Sequence, residues 1–149
     1  MRVLIDTNII VDVLQRREPW FGDGRKIFLA AANRQITACI TAKEAADIHY
    51  FARRQLRGEE NADEKAREIL ANLFALFEVI DTLAEDCRAA FPIRNGDYED
   101  AVMIASAVRV KADRIVTRNP EHFKASPVPV MGAGEFVRMM EEKQDASEE

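Results

Sequence analysis

The sequence has no apolar run approaching the roughly 18–20 residues that a membrane-spanning helix needs, so no such span is expected. Cysteine is scarce. Cys39 and Cys87 stand far apart, with no C-x-x-C pair and no histidines at zinc-ligand spacing. That excludes a disulfide scaffold or a zinc ribbon and points to buried thiols in a reducing compartment. The two histidines, His49 and His122, have no third ligand nearby in sequence, and they read as polar surface or satisfied core groups. A basic excess is also missing, since 21 basic residues face 26 acidic ones for a net charge of −5. Most of that excess sits in residues 141–149, where five acids accompany Lys143 alone, leaving −1 for residues 1–140. The acidic balance therefore does not forbid a nucleic-acid partner, although no overall basic field advertises one. The opening MRVLIDTNII has one basic residue and then an acid inside the apolar stretch. That is wrong for a secretory signal, and a cytoplasmic protein is expected.

What is present is enough for one domain. The 149 residues are 48% hydrophobic, and a chain of this size buries about two-thirds of its unfolded surface. Arg2–Ile5 reads as a buried strand, followed by a turn at Asp6-Thr7-Asn8 and a short helix through Ile9-Ile10-Val11. Residues 20–32 carry apolar positions at helical spacing, and Ile36–Ile40 reads as a second strand. Thr41 caps a long helix to about Arg57, and a second helix runs from about Asp63 to 76. Phe77–Ile80 reads as a third strand, Leu83–Phe91 as a short helix, and Asn95-Gly96-Asp97 as a loop into a helix over Asp97–Lys111. That helix is apolar over most of its surface, as expected of one packed on a sheet. Arg114–Thr117 and Val128–Met131 give two more strands, and Gly134–Glu142 a last helix. Strands that are apolar throughout and alternate with helices imply an α/β fold: a three-layer α/β/α sandwich around a mostly parallel sheet of about five strands. The expected domain is residues 1–140, with residues 141–149 an acidic, flexible tail.

Ligands of an open parallel sheet bind outside the carboxyl ends of its strands, and acids occur at those ends. Asp6 follows the first strand, Glu44 and Asp47 lie in the helix after the second, and Asp97 and Asp100 open the helix before the fourth. Asn119 follows that fourth strand. Carboxylates brought together repel, and a hard cation such as Mg²⁺ or Mn²⁺ would relieve the repulsion. The chemistry suggested is hydrolysis by an activated water, with charge developing on phosphate oxygens. Each residue also has a plain structural role: Asp6 or Asp97 as a helix cap, Asp100 and Glu44 as first-turn acids, Asp47 on a solvated face. The set is more specific than any of its members.

Taken in order, Val3-Leu4-Ile5-Asp6-Thr7-Asn8, Ile40-Thr41-Ala42 with Asp47-Ile48, Asp97-Tyr98-Glu99-Asp100-Ala101 and Ala112–Asn119 with Phe123 resemble the PIN-domain ribonucleases. Within them, the likeness is to the VapC-like toxins of toxin–antitoxin pairs, over about residues 1–139. The resemblance implies Mg²⁺- or Mn²⁺-dependent hydrolysis of RNA phosphodiesters, a small antitoxin partner and a homodimer. Its first and third family acids fall on Asp6 and Asp100, and its second, counted six residues from Thr41, falls on Asp47, with Glu44 as the alternative acid. The fourth family position, often Asp, falls on Asn119, and Asp97 stands where some members carry an additional acid. The candidate dimer surface is the apolar face of the helices at 41–57 and 63–76. Substrate RNA is expected to meet Arg118, Arg53 and Arg16, because a near-neutral body must gather positive charge locally to hold a polyanion. Two other readings stand beside this one. The first is a catalytically silent PIN fold used as a protein-binding module. The second is a phosphatase with Asp6 as nucleophile, which Asn8 disfavours because that chemistry wants a second acid two residues on.

Overall fold

The computed structural model describes residues 1–94 and 96–148; Asn95, in the expected loop, and Glu149, in the acidic tail, lie outside the described residues. Five short strands, β1 (Arg2–Ile5), β2 (Thr37–Thr41), β3 (Glu78–Ile80), β4 (Arg114–Val116) and β5 (Val130–Met131), form one sheet in the order β3-β2-β1-β4-β5. Every pairing is parallel. Seven helices connect and cover them: α1 (Thr7–Leu14), α2 (Phe21–Ala32), α3 (Ala42–Gln55), α4 (Ala62–Leu76), α5 (Ala84–Ala90), α6 (Tyr98–Arg109) and α7 (Ala133–Glu148). Among the described residues no helix is long and apolar enough to cross a membrane.

The alternation of side chains along β1 sorts the helices into two layers. Val3 and Ile5 face a core with Ile9 and Ile10 of α1, Ile27 of α2, Ile48 of α3, Leu73 of α4 and Phe136 of α7. Leu4 faces the opposite way, toward Met103, Ile104 and Ala107 of α6 and Phe123 in the turn after β4. The expected α/β/α sandwich is therefore the observed one. Within the first layer, glycine sets how closely α1 and α2 approach. Gly24 of α2 lies so near α1 that an added Cβ would stand 2.6 Å from Val13 Cγ2.

One boundary and one surface differ from expectation. The last helix runs to Glu148 rather than Glu142, so the acidic segment continues α7, with Glu141 bonded to Lys26 at 2.9 Å. Lys, Gln, Asp and Ala at 143–146 contain no breaker, which explains why the helix does not stop. The helices at 41–57 and 63–76 use most of their apolar residues internally. Ile48 and Leu73 are buried, while Tyr50 and Phe74 stay exposed.

Two buried ion pairs tie distant segments together. Asp86, at the start of α5, accepts from Arg109 Nε at 2.8 Å, Ser106 Oγ at 3.0 Å and its own Leu83 N–H at 2.9 Å. Burial pushes this carboxyl up, but those donors outweigh it and hold it below the ordinary aspartate range. Asp12 of α1 takes Arg118 Nη1 at 2.8 Å. Its other oxygen has no hydrogen-bond partner among the described residues.

Candidate active site

The carboxyl ends of β1, β2 and β4 open onto two adjoining depressions of about 360 and 370 Å³, both lined by Asp6, Thr7, Phe51 and Asp100. Glu44, Asp47 and Glu99 line the first, and Asp97, Arg17, Arg118, Asn119 and His122 the second.

Asp6 occupies the N-cap position of α1, yet its side chain makes no capping bond. Its Oδ2 instead accepts from Thr117 Oγ1, just past β4, at 2.6 Å. Burial raises this carboxyl, with Thr117 pulling it part of the way back. Glu44 is 4% exposed and closes a capping box on α3. Thr41 N–H donates to Oε2 at 2.7 Å, and Glu44 N–H donates to Thr41 Oγ1 at 3.1 Å. Its other oxygen accepts from Thr7 Oγ1 at 3.3 Å. Burial, and then the charge of Asp6, push the Glu44 carboxyl up to about 8. Asp100, in the first turn of α6, is pushed up to about 6 by burial and then by Asp6 and Asp97. Glu44 and Asp100 thus each feel the charge of Asp6 across a shared hollow.

The other sequence candidates sit differently. Asp47 also lines the first depression, but its carboxylate is held by Lys43 at 2.6 Å, which bridges on to Glu99 at 3.2 Å. Helical spacing explains the contrast with Glu44. Glu44 lies one turn before buried Ile48 on the inward stripe of α3, whereas Asp47 lies on its flank beside Lys43. The two acids are thus placed differently: Glu44 lies against Asp6, and Asp47 is paired with Lys43. Asp97 caps α6, accepting from Glu99 N–H at 2.8 Å, and lines the rim of the second depression. Asn119 is exposed at the same rim.

Of the expected arginines, Arg118 reaches the site, sandwiched between Asp12 and the Trp20 ring at 4.3 Å. Arg16 does not. It lies past the far end of α1, 6.0 Å over Phe21, and its neighbour Arg17 lines the depression instead. Arg53 lies outward on α3, away from both depressions. His122 was read as a surface or core group, and it enters the second depression with Nδ1 3.6 Å from Asp100 Oδ2. Thr117, Phe51 and Arg17 were not singled out by sequence. Thr117 precedes Arg118 and Arg17 follows Arg16, so adjacency to a named candidate was the one signal for either.

Hard oxygen donors with uncompensated negative charge are what Mg²⁺ and Mn²⁺ take. Asp6, Glu44 and Asp100 fit such an ion in donor type and in charge, with Asn119 adding a neutral oxygen. Among the described residues, no three acid, imidazole or thiol groups already stand close enough to hold an ion together.

A family model described as PIN domain matches residues 2–121. No curated protein matches the chain. Among solved structures, VapBC2 from Rickettsia felis bound to a DNA fragment from its promoter is similar at 20% identity and a TM-score of 0.63, over 89% of this chain and 98% of that one. A toxin–antitoxin complex from Klebsiella pneumoniae is similar at 18% identity and a TM-score of 0.63, over 88% and 97%. VapBC-1 from nontypeable Haemophilus influenzae is similar at 16% identity and a TM-score of 0.64, over 90% and 99%. At these identities the likeness is one of fold.

Proposed function

The chain belongs to the PIN domain family, and from that premise we propose that it is a metal-dependent endoribonuclease, the toxin of a toxin–antitoxin pair. The observation that carries this reading is the meeting of Asp6, Glu44 and Asp100 in one hollow, with the carboxyls of Glu44 and Asp100 pushed up to about 8 and about 6. Such a grouping is costly unless something uses it, which makes it a site of function. The toxin assignment draws on the kinship of fold with a toxin–antitoxin complex, and a small antitoxin and a homodimer are proposed on the same ground. The nuclease domain is proposed to be residues 1–140, with α7 running on into the acidic segment.

Asp6, Glu44 and Asp100 would hold Mg²⁺ or Mn²⁺. Bound there, the ion supplies an activated water and neutralises charge developing on the phosphate. The chain itself orients the carboxylates. Thr117 fixes Asp6, and Thr7 with Thr41 fixes Glu44, so that both reach the hollow in a set direction. Arg118 and Arg17 bring positive charge to the acidic rim, where an incoming phosphodiester needs it. Asn119, where an acid is common, takes one negative charge from the far rim and weakens the hold on a second ion.

The test is cleavage of a labelled RNA with Mg²⁺ or Mn²⁺, against EDTA and against Asp6→Asn and Asp100→Asn. Each substitution should cut the rate about 10³-fold or more while leaving the circular dichroism spectrum unchanged. Undiminished activity in both variants would remove the metal-site assignment. Wild type that never cleaves but binds a protein partner would favour the silent module.

A further inference from the structure

The outer half of α3 carries a feature that the catalytic hollow does not explain. Tyr50, Arg53, Arg54 and Arg57 line one shallow depression with Gly58 and Ala62. Their spacing of three, four and seven residues places them on one face of the helix. Tyr50 is 61% exposed and Arg53 is 63% exposed in its side chain, although an aromatic ring and three guanidiniums have ample reason to find partners. Asp63 stands 4.0 Å from Arg53 but is already bonded to Arg67 at 2.8 Å. The lining itself holds three arginines and no acid, on a body whose first 140 residues sum to −1.

This patch is continuous with the hollow. Phe51 lines both catalytic depressions, and its ring meets Tyr50 edge to face at 5.7 Å. From Glu44 to Arg54 the helix rises about 15 Å, so the patch lies a few nucleotides from the acids. We propose that the Tyr50–Arg53–Arg54–Arg57 face of α3 is a track for the RNA strand flanking the cleavage point. A base stacks on Tyr50, and phosphates pair with the three arginines. An exposed ring beside clustered guanidiniums is how proteins hold single strands without reading sequence. An acidic peptide would use the arginines but would leave the ring unexplained.

The proposal rests on the nuclease reading for its substrate, and its test does not depend on catalysis. Binding of a fluorescent oligouridine to the full chain is followed by polarisation in EDTA over a range of salt. Arg53→Ala/Arg54→Ala/Arg57→Ala should weaken binding roughly 10- to 100-fold near 0.1 M salt. It should also flatten the log–log salt slope by about 2, at about 0.7 per lost phosphate contact. Tyr50→Ala should weaken binding about tenfold and leave the slope unchanged, because stacking releases no counterions. Arg25→Ala/Arg34→Ala/Arg88→Ala removes the same charge elsewhere and serves as the control. Equal behaviour of patch and control variants would overturn the track while leaving the nuclease reading intact. So would wild type that does not bind the strand. Loss of dimer mass by light scattering, or of binding to an acidic peptide, with unchanged RNA affinity would assign the face to a protein instead. Normal use of the patch by a wild type that never cleaves RNA, with or without Mg²⁺ or Mn²⁺, would sink the nuclease reading and leave the track standing.

Discussion

Thr7 donates its hydroxyl to Glu44 across 3.3 Å, so the first turn of α1 and the first turn of α3 share one carboxylate. The residue after β1 and the helix after β2 are thereby locked in register at the site. The same glutamate closes the capping box with Thr41, which leaves little freedom in where it points.

That arrangement separates two acids only three residues apart. Glu44→Gln should abolish Mn²⁺-dependent cleavage, by about 10³-fold or more, because an amide cannot give up a proton to become the carboxylate the ion would need. Asp47→Asn should cost under about fivefold, since Asp47 is spent on Lys43. Single-turnover rates on one RNA decide it, and the opposite ranking would return the role to Asp47.

Stability of the metal-free protein should fall as pH rises from about 4.5 to 8. Glu44 keeps its proton in the folded state up to about 8, whereas the unfolded chain releases it near 4.5. The native state therefore holds more protons across that window, and rising pH favours unfolding. Asp100, pushed up to about 6, adds in the same direction between 3.8 and 6. Urea midpoints in EDTA should be higher at pH 5 than at pH 8, and Mn²⁺ should restore the loss at pH 8. A midpoint that is flat or rising with pH counts against the buried-acid account.

The Asp12–Arg118 pair should respond unequally to loss of either partner. Arg118→Ala leaves a carboxylate that is 1% exposed with only the longer 3.9 Å contact to Arg17 and should cost about 3 kcal/mol. Asp12→Asn keeps an acceptor for a guanidinium that is a quarter exposed and rests on Trp20, so it should cost about half as much or less. Equal losses would mean that the pair does not work through burial of Asp12.

At Gly24, alanine should destabilise despite its better helix propensity. The added methyl meets Val13 Cγ2, a β-branched side chain with little rotamer freedom. The cost should be about 1–3 kcal/mol, and Val13→Ala in the same chain should recover most of it. An additive double variant would place the strain elsewhere.

The strands were legible because β1, β2 and β4 are buried on both faces and read as unbroken apolar runs. Their carboxyl ends then told where acids matter, and Asp6 and Asp100 followed. Counting from Thr41 points to Asp47 and says nothing of which face of α3 is buried, which is where Glu44 lies. The stripe of Glu44, Ile48 and Ala52 held that information. Asp12, Asp86 and Thr117 were illegible for a different reason. Asp12 and Arg118 lie 106 residues apart, Thr117 and Asp6 lie 111 apart, and no local pattern announces such a partner.

Strand order β3-β2-β1-β4-β5 also dictates the sequence of events in time. The ribosome makes β1 first, yet β1 is the central strand, and its β4 side stays bare until residues 114–116 emerge. Asp6 and Glu44 are in place early, but Asp100, Thr117 and Arg118 come from the last third of the chain. A nascent or truncated chain ending before β4 therefore has its acids and its first helices without the far wall that turns them into a pocket. The hollow is a late product of synthesis, completed only when the end of the chain folds back against its beginning.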